Sequence, residues 1–218
     1  MVPFIFSFEQ RINFVSKWRF FLPACFISGF IFCIWDYYAT LTGVWSFNDK
    51  YILGYKVFGL PIEEIMFFFT VPYSCTFIYL NMELLGQRYK KVPDLRLTYI
   101  VFSIAFLVAS LFFMERAYTF TVLLFAGVSL ILLGSLFNGP RLAYFGVAYL
   151  ISLLPMFIVN GILTALPIVI YNYNETWNFR IGTIPVEDFI YSLALLALNV
   201  SLFELFKRNA VTKAAVRI

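Results

Sequence analysis

The sequence contains no histidine, and that absence removes much of the ordinary chemistry of active sites. The commonest metal ligand is missing, and with it every histidine-based acid, base or catalytic triad. Charge is also scarce: Asp, Glu, Lys and Arg make up 13% of the 218 residues, about half the share of a soluble domain. Cys25, Cys33 and Cys75 all fall in apolar stretches and form no C-x-x-C pair, so they read as small buried hydrophobes. There is no glycine-rich dinucleotide or phosphate fingerprint and no G-x-S-x-G elbow. The net charge of +4 is modest and sits between the apolar runs, which argues against a nucleic-acid partner. Nothing in the pattern calls for a metal or a cofactor.

What is present is hydrocarbon. Hydrophobic residues make up 62% of the chain and aromatics 21%, with 28 Phe, more than an interfacial belt alone uses. The apolar runs predict an all-α polytopic bundle in the cell membrane, with six complete spans: 20–41, 61–85, 97–114, 118–137, 142–171 and 185–206. Met1 to Phe8 is apolar but too short to span and lacks the marks of a cleavable signal peptide; it reads as the end of a further, partial span. Loops on the side of Arg11, Arg88–Lys91, Arg141 and the tail hold twelve of the 16 Lys and Arg, which predicts that side to be cytoplasmic. Lys207, Arg208 and Arg88 to Lys91 read as topology determinants and contacts to anionic membrane lipids. Glu83 and Glu204 read as solvated helix ends.

The most informative stretch is Leu60-Pro61-Ile62-Glu63-Glu64-Ile65-Met66-Phe67-Phe68-Phe69. Proline is pre-set for the first turn of a helix, and acids behind it suit the positive end of the helix dipole. Beside an apolar span such carboxyls are costly, which makes them candidates for function. The arrangement returns 124 residues later as Ile184-Pro185-Val186-Glu187-Asp188-Phe189. At the same offset Lys17 falls on Arg141, and Asp36-x-x-x-Thr40 falls on Asn160-x-x-x-Thr164. Trp45-Ser46-Phe47 is matched to Trp177-Asn178-Phe179, displaced by eight residues. Four spans separate equivalent helices, so the repeats share one orientation about an axis along the membrane normal. The expected division is 1–96 for the first repeat with its basic link, 97–117 for a connecting span and turn, and 118–218 for the second repeat. The span 118–137 is expected to have a partner upstream of Met1.

Both acidic pairs then open their helices from the non-cytoplasmic side. Adjacent residues on a helix point about 100° apart, so one acid of each pair can face the bundle interior. From Glu63, helical spacing draws a mixed stripe through Phe67, Thr70, Ser74, Phe77 and Asn81; Asp188, Ser192, Leu195 and Asn199 form its counterpart. Asp36 is the acid placed well inside a span, and pairing it with Asn160 makes the repeats chemically unequal, which favours one composite site. Trp45, Phe47, Trp177 and Phe179 read most simply as interfacial anchors, with a cavity lid as the alternative. Desolvation and a like-charged neighbour both keep carboxyls protonated, and a neutral acid in a dry pocket can protonate an alkene. Aromatic faces and carboxylates would stabilise the resulting cation.

These residues carry a resemblance. Pro61-Ile-Glu63-Glu64-Ile-Met-Phe-Phe, Pro185-Val-Glu187-Asp188-Phe, Ile34-Trp35-Asp36, Gly43-Val-Trp45-Ser-Phe47, Asn160-Gly161-Ile-Leu-Thr164 and Arg180-Ile-Gly182-Thr-Ile-Pro185 resemble the small integral-membrane carotenoid cyclases. This lycopene cyclase family occurs as heterodimers of short subunits or as one fused chain, usually with a further apolar segment ahead. The resemblance implies a fused β-cyclase acting on lycopene by protonation, ring closure and proton loss, with no cofactor. It implies Glu63 and Glu187 as the main acid/base candidates, either one as donor, with Glu64 and Asp188 setting their protonation. Asp36 would stabilise the cation or support the site, and Asn160 would donate a hydrogen bond. Phe67, Phe68, Asn160, Tyr191, Trp45 and Trp177 are carried as substrate contacts, and carotenoid-pathway enzymes as partners. Two other readings stay open: a prenyltransferase or hydratase on polyprenyl lipids, and a proton-coupled transporter or carotenoid-binding scaffold.

Overall fold

The computed structural model describes residues 2–86, 93–137 and 139–215, the side chains of 211–215 excepted. Arg88, Lys90, Lys91 and Arg217, and the side chain of Lys213, lie outside the described residues. A short helix α1 (Val2–Phe6) precedes six long ones: α2 (Trp18–Leu41), α3 (Ile62–Gly86), α4 (Arg96–Ser110), α5 (Ala117–Leu136), α6 (Pro140–Ala165) and α7 (Val186–Ala215). Each of the six, α4 together with the 3₁₀ turn Leu111–Phe113, is long and apolar enough to cross a membrane. The chain is a multi-pass all-α membrane protein.

Three two-stranded pairings decorate the end of the bundle where the acidic pairs lie. They are built from β1 (Trp45–Phe47), β2 (Lys56–Val57), β3 (Leu60–Pro61), β4 (Val169–Tyr171), β5 (Arg180–Ile181) and β6 (Ile184–Pro185). β2 pairs with β3 and β5 with β6 as tight hairpins. Phe58 and Gly59 both take positive φ in the first, and Gly182 does so in the second, as two-residue turns require.

The repeat is more regular than its sequence suggests. Leu41 and Ala165, Ile62 and Val186, and the strands β2–β3 and β5–β6 all correspond at the same offset of 124 residues. Gly54 and Asn178 share the left-handed conformation at that offset. β1 and β4 correspond too, and they pair with each other antiparallel, Trp45 opposite Tyr171 and Phe47 opposite Val169. A two-fold axis therefore runs between Ser46 and Ile170. This corrects the match of Trp45-Ser46-Phe47 to Trp177-Asn178-Phe179. Tryptophan identity misled the alignment; the backbone makes Leu53 the repeat equivalent of Trp177 and Tyr55 that of Phe179.

The last stretch of the expected span 142–171 is also corrected. α6 ends at Ala165, and Val169–Tyr171 is strand β4. Pro167 disfavours helix in the residue before it, and the β-branched pair Val169-Ile170 suits the strand.

The repeats are intertwined rather than side by side. α2 packs chiefly on α7 and α6 on α3, so each repeat's first helix rests on the other's second. α5 packs on α4 and α7, while α1 packs on α3, with Phe4 stacked on Trp18 and Ser7 hydrogen-bonded to Tyr73 at 2.5 Å. At the opposite, basic end, Glu83 and Glu204 lie among Arg141 and Lys207, the closest pair being Lys207 and Glu204 at 2.9 Å. Glu204 is buried, not a solvated helix end, because α3, α6 and α7 converge around it.

Candidate active site

Each acidic pair is delivered by its hairpin. Ile62 N–H donates to the Tyr55 carbonyl and Val186 N–H to the Phe179 carbonyl, both at 3.0 Å, fixing where α3 and α7 begin. The first acid of each pair then turns back onto its own loop. Glu63 Oε1 accepts from the Leu53 N–H at 2.6 Å, and Glu187 Oε1 accepts from the Trp177 N–H at 2.6 Å. Thr119 of α5 adds a second donor to Glu187 at 2.7 Å, and Glu187 is fully buried. Glu63 and Glu187 latch equivalent loops to equivalent helix starts.

The second acid points elsewhere. Rotated by one residue about the helix, Glu64 and Asp188 both line a cavity of about 310 Å³ between α3, α6 and α7. That is at the small end of ligand sites, which run from ~300 to 1,000 Å³. Phe67, Val71, Ser74 and Cys75 of α3 form one wall, and Ser152, Met156, Asn160 and Leu163 of α6 face them. The paired strands β1 and β4 close the acid end as a roof through Trp45, Phe47, Val169 and Tyr171.

Asp188 is held by three donors. Tyr118 donates to its Oδ1 at 2.7 Å, and Asn160 Nδ2 and Tyr171 donate to its Oδ2, each at 2.9 Å. Hydrogen bonds to a charged group stabilise by roughly 1.5–3 kcal/mol each, so this arrangement suits an acceptor carboxylate. Burial, together with the Asp188 carboxylate beside it, pushes the Tyr171 phenol well above its ordinary value, which keeps it a donor. Tyr118 and Tyr171 stack with centroids 5.7 Å apart, and Trp45 meets Tyr118 edge-on at 5.0 Å.

Glu64 is the opposite case. Among the described residues no hydrogen bond engages its carboxyl, and it is within electrostatic reach of both Asp36 and Asp188. Asp36, 1% exposed, does not line the cavity but accepts from the Trp45 indole at 2.7 Å, and Trp45 does line it. Among the described residues, no three of His, Cys, Asp and Glu are grouped to hold a metal ion.

The structure thus brings Glu64, Asp188, Asn160, Trp45, Phe67 and Tyr191 around one space. Glu63 and Glu187 are outside it, and Phe68 is buried against Phe32, with ring centroids 6.3 Å apart. The stripe of Phe67, Thr70 and Ser74 belongs with Glu64, not with Glu63. Trp45 is buried under the roof and is no interfacial anchor, whereas Trp177 is 51% exposed and rests on Phe113 and Phe179. Sequence reasoning missed Tyr171 and Tyr118. Tyr171 could have been found by carrying the 124-residue offset from Phe47 without a shift. The 124-residue offset carries Tyr118 ahead of Met1, so the repeat offered no signal for it.

The comparisons with known proteins fit this picture. A family model described as lycopene cyclase matches residues 1–82 and 115–206, one region in each repeat, with α4 between them. A bifunctional lycopene cyclase/phytoene synthase of Phaeosphaeria nodorum is 39% identical over 46 residues, 21% of this chain and 8% of that protein. One from Arthroderma gypseum is 33% identical over 61 residues, 27% of this chain and 10% of that protein. The matches therefore span a tenth or less of these relatives' length. No solved structure matches. With both repeats covered by the one family model, this chain belongs to the lycopene cyclase family.

Proposed function

We propose that the chain cyclises the linear ends of lycopene to β-ionone rings, giving γ- and then β-carotene with no net redox change. The observation that carries this reading is the pairing, in one aromatic cavity, of an unengaged carboxyl with a fully engaged one. Glu64, free to donate, gives its proton to the terminal alkene of the substrate. The tertiary cation so formed is attacked by the neighbouring double bond, which closes the six-membered ring and moves the positive charge into it. Asp188, held as an acceptor by Tyr118, Asn160 and Tyr171, stabilises that charge and takes the proton that restores a double bond. The proton then returns to Glu64, so each ring closes without gain or loss of atoms.

The faces of Trp45, Phe67, Tyr118, Tyr171 and Tyr191 surround the path of the cation and supply cation–π stabilisation. The β1–β4 roof excludes water, which would otherwise quench the cation as an alcohol. Of the cavity wall, Thr70, Pro155 and Val159 reach the outer surface at mid-helix, which opens the cavity sideways to lipid. A carotenoid dissolved in the bilayer would enter there. Asp36 acts through Trp45 and through its charge on Glu64. The bundle is oriented with its acid end on the non-cytoplasmic side of the cell membrane. The relatives named above carry phytoene synthase in the same protein, which supports carotenoid-pathway enzymes as partners.

The test is pigment analysis of a lycopene-accumulating host expressing this chain. Conversion to a bicyclic carotene, lost in Glu64→Gln and Asp188→Asn, supports the reading. Lycopene left unchanged by membrane-inserted protein overturns it, as does full activity in both variants.

A further inference from the structure

A second cavity, of about 790 Å³, lies toward the basic end of the bundle, between α4 and α6 and the end of α3. Tyr149 of α6 lines both cavities, and on α7 Ser192 and Leu196 face the first while Leu193 faces the second. Tyr149 stands between them as a partition, held across to α7 by its hydroxyl, which donates to the Phe189 carbonyl at 2.8 Å.

The lining of the second cavity is chemically plain. Phe102, Phe106, Tyr99, Tyr144, Leu150 and Leu193 dominate it. Its few side-chain oxygens are partly spent, since Tyr99 donates to the Leu142 carbonyl at 3.0 Å and Tyr149 is bonded to α7. Such a wall recognises hydrocarbon, and its aromatic faces suit a flat conjugated chain. Length points the same way. α3 lines the first cavity at Glu64 and the second at Gly86, ~33 Å apart along the helix axis. That is about the ~30 Å thickness of a bilayer's hydrocarbon core.

We propose that the second cavity is the subsite for the far half of the linear polyene whose near end reacts at Glu64 and Asp188. This rests on the cyclase reading given above. The substrate crosses the bundle from acid end to basic end and bends past Tyr149. One end reacts at a time, and the chain must leave and re-enter reversed before its second end can close. α4, which supplies Thr98, Tyr99, Phe102 and Phe106 to this subsite, thereby helps to set the substrate length the enzyme prefers.

Binding energy from the remote part of a substrate is used at the reacting end, so truncating the substrate slows the chemistry itself. The experiment compares lycopene with a polyene that keeps one intact acyclic end and lacks the far half. Both are assayed in membranes holding the wild-type chain, Thr98→Trp or Leu150→Trp. The two positions line only the second cavity and are exposed at its rim, so the added ring enters the cavity without disturbing the packed core. The wild type is expected to prefer lycopene by about ten-fold, and both variants to lose that preference while cyclising the short polyene at the wild-type rate. A preference that persists in both variants overturns the subsite, and so does an equal loss on both substrates. A wild type without any preference overturns it too, and that is the result of a membrane lipid chain as the sole occupant. A wild type that cyclises neither substrate sinks the cyclase reading itself, which separates the two failures.

Discussion

The two cross-repeat seams, α2 on α7 and α6 on α3, are related by the same two-fold axis, yet one is solid and the other hollow. In the solid seam Phe32 is fully buried and meets Phe125 at 5.7 Å and Tyr191 at 5.1 Å, while Trp35 stacks on Phe125 at 4.6 Å. The residues 124 positions on from Phe32 and Trp35 are Met156 and Val159, and both line the cavity. Two large rings packed on α5 in the solid seam thus correspond to two smaller chains along the cavity wall. Polar positions diverge in parallel. Asp36 is shut away beneath Trp45, whereas its counterpart Asn160 reaches into the cavity and holds Asp188. Phe47 has no hydroxyl, whereas its counterpart Tyr171 donates to Asp188. The repeat supplies two corresponding frames, one with a packed core and the other with a cavity.

The sharpest way to break this comparison is to remove the acids by class. Glu64→Gln is expected to lower the cyclisation rate by about 10³-fold, in line with the loss of a general acid. Glu63→Gln keeps an acceptor for the Leu53 N–H and is expected to leave the rate within about two-fold of wild type. Initial rates in isolated membranes decide, and equal losses in both variants would refute the division of labour between neighbours.

Next in size is the conversion of the hollow seam into a copy of the solid one. Val159→Trp should fill the cavity and cost about a hundred-fold in rate by displacing the reacting end. Unchanged thermal unfolding would show that the bundle still forms. Tyr171→Phe makes the second repeat resemble the first at this position. It removes one of three donors to Asp188 and should lower the rate by about ten-fold, with substrate affinity little changed. The last prediction concerns stability rather than rate. Trp45→Phe strips Asp36 of its donor and is expected to cost about 1–3 kcal/mol of stability, seen as a lower unfolding temperature in detergent.

Much of this was legible in the sequence. The offset of 124 residues, the six spans and the starts of α3 and α7 all followed from apolar runs and from proline ahead of paired acids. Which acid of each pair faces the cavity did not follow, because the choice rests on the rotation of the helix, set by hairpin latches at Leu53 and Trp177. The pairing of β1 with β4 was hidden for another reason. Three-residue strands carry little pattern, and tryptophan at positions 45 and 177 offered a false match. Tyr118 reaches Asp188 only because α5 packs on α7, a tertiary fact with no local trace.

The intertwining of the repeats also has a consequence for how the protein is made. α2 and α3 enter the membrane long before α6 and α7, on which they chiefly rest, have been synthesised. At ~5–20 residues per second the gap of 124 residues lasts roughly ten seconds. Through that interval the faces of α2 and α3 that will meet α7 and α6 have no partner from this chain, and Asp36 waits without the packing that later buries it. The early half is thus an insertion intermediate with a polar residue at membrane depth, a natural client for whatever machinery shelters unfinished helices.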